Sequence, residues 1–262
     1  MKSPAICTRR SERVVRIELH RSALHNAFDD GLIAELGAAI DAASADESLS
    51  VLVLSGQGPS FSAGADLNWM RRMATASEDE NRADAEQLAR LLRALAYCPL
   101  TTIASVNGAA FGGGVGLIAA CDLAITVDSA RFGLSETRLG LVPAVISPYV
   151  IDAIGVRAAR RYFQTGETFD AATALRLGLV QELVTIDQLD PAVERQIERL
   201  LDNGPRALRE AKRLALRVGG RSLEAAQALD QENATLIARL RVSPEGQEGL
   251  SAFLEKRKPQ FL

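Results

Sequence analysis

VNGAAFGGGVGL, residues Val106–Leu117, places four glycines (Gly112, Gly113, Gly114 and Gly116) in a five-residue window behind the β-branched run TTIASV. Glycine is needed where a Cβ would collide with a neighbour or where φ must be positive. The stretch therefore calls for a tight turn, a second backbone or a ligand. TTIASV reads as a strand, and GLIAACDLAI behind the glycines reads as a short helix followed by another strand. A turn from strand into helix also exposes N–H groups, because the first residues of a helix have no intrahelical acceptor.

A dinucleotide site would use such a turn, and Gly114, Gly116 and Ala119 do spell GxGxxA. The context is wrong for it. In that fold the glycines follow the first strand at once, and an acidic residue some twenty positions on closes the second. Here NGAAF intervenes and Asp128 comes too early. No Gly-Lys-Ser/Thr follows, so a phosphate loop is excluded as well.

Outward from this stretch, strands and helices alternate. RVVRIELH alternates as a strand does, and Asp29 to Ala43 carries Leu32, Ile33, Leu36 and Ile40 at helical spacing. VLVLS is a short buried strand, and Glu78 to Tyr97 a helix ended by Pro99. From Tyr149 helical patterns dominate, through VRAARRYF and AATALRLG to the C-terminus. The order predicts an α/β core with a helical portion from about Asn203.

Composition narrows the function. The 262 residues are 47% hydrophobic and 24% charged, which suits a globular chain with a substantial core. A net charge of -3 offers no basic field for nucleic acid. No apolar run reaches bilayer length and the start lacks a signal-peptide core, so a cytoplasmic protein is expected. Cys7, Cys98 and Cys121 have no metal-ligand spacing and read as reduced packing residues. The two histidines, His20 and His25, cannot build a histidine-rich metal site, and acid–base chemistry falls to carboxylates.

A second loop, FSAGADL (Phe61–Leu67), also follows a buried strand and opens a helix. Two small-residue turns with free amides can converge on one oxygen, which describes an oxyanion hole. Helix capping or fold support is the expected role of Asp66 and Asp122.

HNAF (His25–Phe28), FSAGADL, ASVNGAAFGGGVGLIAACDLAI, ARFGLSETRLGLVP, GLV near Val180 and AFLEKRKP near the end together resemble the enoyl-CoA hydratase/isomerase, or crotonase, family along nearly the whole chain. The resemblance implies a spiral of ββα units over residues 1–202 and a C-terminal helical trimerisation region over 203–262. It implies a homo-oligomer, a trimer or a hexamer built as a dimer of trimers. An acyl-CoA thioester would be the substrate, with coenzyme A as part of it, no separate cofactor and no metal. Carried over by position, Ala63 and Gly113 would donate the oxyanion amides. Ala63, Gly64, Ala65, Asp66 and Leu67, with the backbone of Ala23 and Leu24, would hold coenzyme A. Phe253 and Lys256 would reach the coenzyme A of a neighbouring subunit. Trp69 and Met70 would line the acyl pocket.

One departure stands out. Typical hydratases carry two glutamates, and here Gly116 occupies the first position, with Glu136 in LSETRLG retaining the second. Glu136 is the implied catalytic residue, and Gly116 a bare position beside the substrate. PAVISP replaces a glycine-rich stretch, which makes Ser147 a candidate pocket hydroxyl. The texture is most like the methylglutaconyl-CoA and isohexenylglutaconyl-CoA hydratases of leucine and acyclic terpene breakdown, whose substrates carry a distal carboxylate that Arg71 or Arg72 would pair with. A single glutamate also suits an isomerase, and some chains of this fold bind RNA or act as scaffolds.

Overall fold

The computed structural model describes residues 4–261; Met1–Ser3 and Leu262, the outermost residues of the expected 1–202 and 203–262 division, lie outside the described residues. The chain forms an α/β spiral around two sheets, a six-stranded one and a four-stranded one. Strands β3 (Val51–Gly56), β5 (Thr101–Val106) and β7 (Leu123–Val127) lie side by side and parallel in the large sheet. Each feeds a three-residue strand of the small sheet: β4 (Ser60–Ser62), β6 (Ala109–Phe111) and β8 (Arg131–Gly133). The chain then turns into helix: α2 (Leu67–Thr75) and α3 (Glu78–Ala96) after β4, α4 (Gly113–Ala120) after β6, and α5 (Ser147–Thr165) after β8. Three ββα turns thus stack on one another.

The four leading residues of β3, VLVL, are all buried, as a parallel sheet covered on both faces requires. Successive turns touch through backbone. A Cβ on Gly108 would meet the Pro59 carbonyl, and one on Gly114 would stand 2.8 Å from the Ser62 carbonyl oxygen. Two of the glycines around the opening stretch are therefore demanded by the neighbouring spiral turn.

Strand β1 (Ile6–Ser11), which sequence periodicity leaves unassigned, pairs antiparallel with β2 (Val14–Leu19). Its residues are mostly exposed, so no hydrophobic alternation marks it. Helix α1 (Asp30–Ala45) is capped by Asp29, whose side chain accepts from the Leu32 amide. Two further short strands, β9 (Thr168–Asp170) and β10 (Glu182–Val184), lie within the stretch read as helical. Three residues are too few to show a period, and each is specified by the sheet edge that it joins.

Helix α6 (Ala171–Leu177) and α7 (Leu189–Leu201) precede the C-terminal helices α8 (Pro205–Val218), α9 (Leu223–Val242) and α10 (Pro244–Leu254). These do not stand apart from the spiral. Helix α9 packs along α3, and α10 lies against the 3-10 turn Glu136–Leu139. Asp122, expected in fold support, accepts from the Thr102 amide and pairs with Lys212 of α8 at 2.8 Å. No helix among the described residues is long and apolar enough to cross a membrane.

Candidate active site

The HNAF turn comes first, because it builds both loops of the site. His25 and Asn26 have positive φ, and the buried Asn26 amide holds that turn by donating to the Gln57 and Ser60 carbonyls at 2.9 Å. Phe28 follows, almost fully buried. Its N–H donates to the Gly64 carbonyl at 2.7 Å, and its carbonyl accepts from the Asp66 amide at 2.8 Å. Both peptides flanking Ala65 are thereby pinned, and the Ala65 N–H has no acceptor among the described residues. The Phe28 ring meanwhile lies beneath the second loop, 3.3 Å from where a Gly113 Cβ would stand. One residue thus braces both turns, the first through its backbone and the second through its ring.

Ala63 does not supply the free donor expected of it. Its N–H donates to the His25 carbonyl at 2.8 Å, so that amide is already committed to the fold. The available pair is Ala65 and Gly113. Gly113 is the first residue of α4, where an N–H has no intrahelical partner. Gly112 before it takes φ +49°, the conformation that turns the chain into the helix. Its own N–H donates to the Gly133 carbonyl at 3.0 Å, tying this loop to β8.

Beyond β8 the chain enters the 3-10 turn Glu136–Leu139, closed by Gly140 at φ +67°. A Cβ on Gly140 would stand 2.7 Å from the Glu245 carbonyl carbon, so α10 seats directly on this turn. Glu136 Oε1 lies 3.2 Å from where a Gly112 Cβ would be, at the turn that leads into Gly113. The other oxygen, Oε2, is out of solvent reach and has no hydrogen-bond partner among the described residues. Burial dominates its titration and pushes the carboxyl up to about 7, opposed only by a backbone hydrogen bond. A carboxyl so placed can both take and give a proton near neutrality.

These groups open into one cavity of about 430 Å³. Its wall is largely apolar, with Trp69, Met70 and Met73 from α2, Leu88 from α3, Ile146 before α5, and Ile237 from α9. Ala63, Gly64, Ala65, Gly113, Glu136 and Phe253 line it too. Trp69 is fixed by donating to Asp84 at 2.9 Å, and the Arg241 guanidinium lies 5.6 Å from its ring centroid.

Other expected residues fall elsewhere. Gly116 does not line the cavity: a Cβ there would stand 2.9 Å from Ile146 Cβ and 3.6 Å from Leu92 Cδ2, so apolar packing fills the place of the first glutamate. Asp66 is buried and caps α2, accepting from the Asn68 amide at 2.8 Å and the Trp69 amide at 3.1 Å. Leu67 is exposed outside the wall. Ala23 and Leu24 lie on an exposed 3-10 turn outside it, and Lys256 is exposed beyond α10. Arg71 bonds Asn68 and Arg72 pairs with Asp30 at 2.5 Å, both off the cavity. Ser147 donates to the Ala144 carbonyl at 2.7 Å and is no pocket hydroxyl. Periodicity missed Arg138, which does line the wall; its place two residues after Glu136 was the available signal.

A spiral of ββα turns that aims two free amides and one buried carboxyl into an apolar cavity defines a site that can hold a carbonyl oxygen as it gains negative charge and move a proton beside it. The match to the enoyl-CoA hydratase/isomerase family model spans residues 9–262, and the chain belongs to that family. It is an enzyme of that class. It is 34% identical to the 2,3-dehydroadipyl-CoA hydratase of Escherichia coli over 254 residues, 96% of each chain. Among solved structures, an enoyl-CoA hydratase from Shewanella pealeana is 45% identical with a TM-score of 0.80, covering 98% of this chain and 96% of that one. One from Mycobacterium avium is 32% identical with a TM-score of 0.86, covering 98% and 99%.

Proposed function

We propose that the chain reversibly hydrates a 2-enoyl-CoA whose acyl group is branched and carries a second carboxylate, 3-methylglutaconyl-CoA being the type. The observation that carries the chemistry is the buried Glu136 carboxyl, whose Oε2 has no partner among the described residues and whose Oε1 lies at the Gly112 turn. The thioester oxygen is received by the Ala65 and Gly113 amides, and the polarised carbonyl draws electron density from Cβ. Water attacks Cβ while Glu136, as carboxylate, accepts its proton. The same carboxyl then gives that proton to Cα of the enolate. One group serves both steps in a syn addition, so the packed position of Gly116 leaves the chemistry complete. The second carboxylate finds support in the dehydroadipyl relative, since an adipyl chain bears one.

Coenzyme A is proposed to run over Gly64 and the Ala23–Leu24 turn towards Phe253 and Lys256. The chain is proposed to assemble with copies of itself in a trimer or a dimer of trimers. Helix α8, which buries no residue and exposes Leu214 and Val218, supplies an apolar face for that contact. Sedimentation that finds an active monomer would refute assembly as a requirement.

The absence of a second carboxylate favours one other reading, an isomerase that moves a proton between two carbons. Incubation with 3-methylglutaconyl-CoA and a 3-enoyl-CoA in oxygen-18 water, followed by mass spectrometry, separates them. Oxygen incorporation that is lost in Glu136→Gln supports hydration. Double-bond migration without incorporated oxygen establishes the isomerase instead.

A further inference from the structure

Three charged side chains line the cavity: Glu136, Arg138 and Arg241. They differ in what already satisfies them. Arg241 donates to Asp84 at 3.0 Å and to Asn81 at 3.2 Å, and Asp84 also accepts from Trp69, so this cation is neutralised within the wall. Its pairing ties α9 to α2 and α3. Glu136 has no cation beside it, and its carboxyl is raised by burial with no arginine offsetting that. Arg138 is the remaining charge. Among the described residues no carboxylate lies within ion-pair distance of its guanidinium, and its side chain donates no hydrogen bond.

The Arg138 stem is nonetheless seated. It lies over Gly166, the left-handed residue that ends α5, with Nε 3.1 Å, Cγ 3.3 Å and Cδ 3.5 Å from where a Cβ would be. A side chain at 166 would displace it. The glycine therefore leaves a berth for the stem of this cavity-lining side chain. The same 3-10 turn carries Glu136 two residues earlier, so the charge has a set relation to the reacting end of the substrate.

Arg138 is exposed where it meets the cavity, and an unpaired cation beside an otherwise apolar wall favours an anionic ligand group, because a guanidinium binds a carboxylate through two parallel N–H bonds. We propose that Arg138 receives the second carboxylate of the acyl chain and thereby selects acidic enoyl thioesters over plain ones. The assignment rests on the carboxylated-substrate reading above. It replaces Arg71 and Arg72, which lie off the cavity. Coenzyme A phosphates share the ligand chemistry and are the rival source of the anion.

The test compares wild type, Arg138→Met and Arg138→Lys on four thioesters. Two are 3-methylglutaconyl-CoA and 2,3-dehydroadipyl-CoA, one is crotonyl-CoA, and one is the N-acetylcysteamine ester of 3-methylglutaconate, which has no phosphate. Arg138→Met is expected to lower kcat/KM for the acidic CoA esters by about 10–100-fold, mainly through KM, in keeping with loss of a charge-assisted pair. That loss should exceed the loss on crotonyl-CoA at least tenfold, recur with the N-acetylcysteamine ester, and be partly recovered in Arg138→Lys. Equal losses on acidic and plain CoA esters, with none on the N-acetylcysteamine ester, would assign Arg138 to the phosphates and overturn the proposal. So would a wild-type preference for acidic esters that persists in Arg138→Met. A wild-type enzyme that prefers crotonyl-CoA would overturn the carboxylated-substrate reading itself, and this assignment with it.

Discussion

Positions 116 and 136 stand where the family ordinarily places its pair of glutamates, and in this chain they have opposite fates. Position 136 opens into the cavity, keeps its carboxyl, and leaves one oxygen buried without a partner. Position 116 is closed, with Ile146 and Leu92 packed where a side chain would begin. The difference teaches that losing the first glutamate is a matter of packing as well as of sequence. Ile146 belongs to the altered PAVISP stretch, so two departures from the usual pattern, far apart in sequence, meet at one contact.

The strongest way to break the contrast is at the open position. Glu136→Gln retains the shape and removes the proton carrier, and kcat for hydration is expected to fall by about 10³-fold, within the usual range for general acid–base groups. Steady-state kinetics on a variant with unchanged circular dichroism checks it, and turnover within tenfold of wild type would remove Glu136 from the mechanism. Next comes the Gly113 amide, which lines the same cavity. Gly113→Pro deletes one N–H at a helix position that accepts proline, so kcat should fall about 10²–10³-fold with the helix kept. A kcat close to wild type would show that the oxyanion is held elsewhere.

The closed position sharpens the comparison from the other side. Gly116→Glu is expected to restore no activity and to lower stability by about 1–3 kcal/mol or more through overpacking against Ile146. Ile146→Ala combined with it should recover part of the loss relative to the sum of the single variants, a coupling that chemical denaturation can read. Additive losses would show that the two positions do not share the space.

The smallest effect concerns pH. Burial raises the Glu136 carboxyl to about 7 from its ordinary 4.5, so the folded state holds its proton where the unfolded chain has released it. Stability from this group is full below about pH 4.5 and is lost as pH rises through 7. Wild type should therefore lose more thermal stability between pH 5 and 8 than Glu136→Gln does, as calorimetry would show. In hydration the carboxylate acts first as base, so kcat/KM should decline as pH falls below about 7, and a flat profile there would argue against Glu136.

Much of the site was readable before the fold. The two small-residue turns, the missing acid at 116 and the retained one at 136 are local features of the chain, and Trp69 and Met70 do face the cavity. The choice of donor was not readable. Ala63 and Ala65 are the same residue type two positions apart, and what separates them is a pair of backbone hydrogen bonds to Phe28 and one to His25. Arg71 and Arg138 are equally plain in the sequence, yet one lies on an outer helix face and the other on the wall.

By itself the sequence determined the α/β alternation, because strand and helix periods repeat along it, and the chemistry on offer, because amide-rich turns and a lone glutamate are local. Only the tertiary structure decided which amide remains free, which arginine lines the cavity, and what fills the place of the lost acid. Those three depend on contacts between segments far apart in the chain, and hydrogen-bond partners and packing volumes are properties of such contacts.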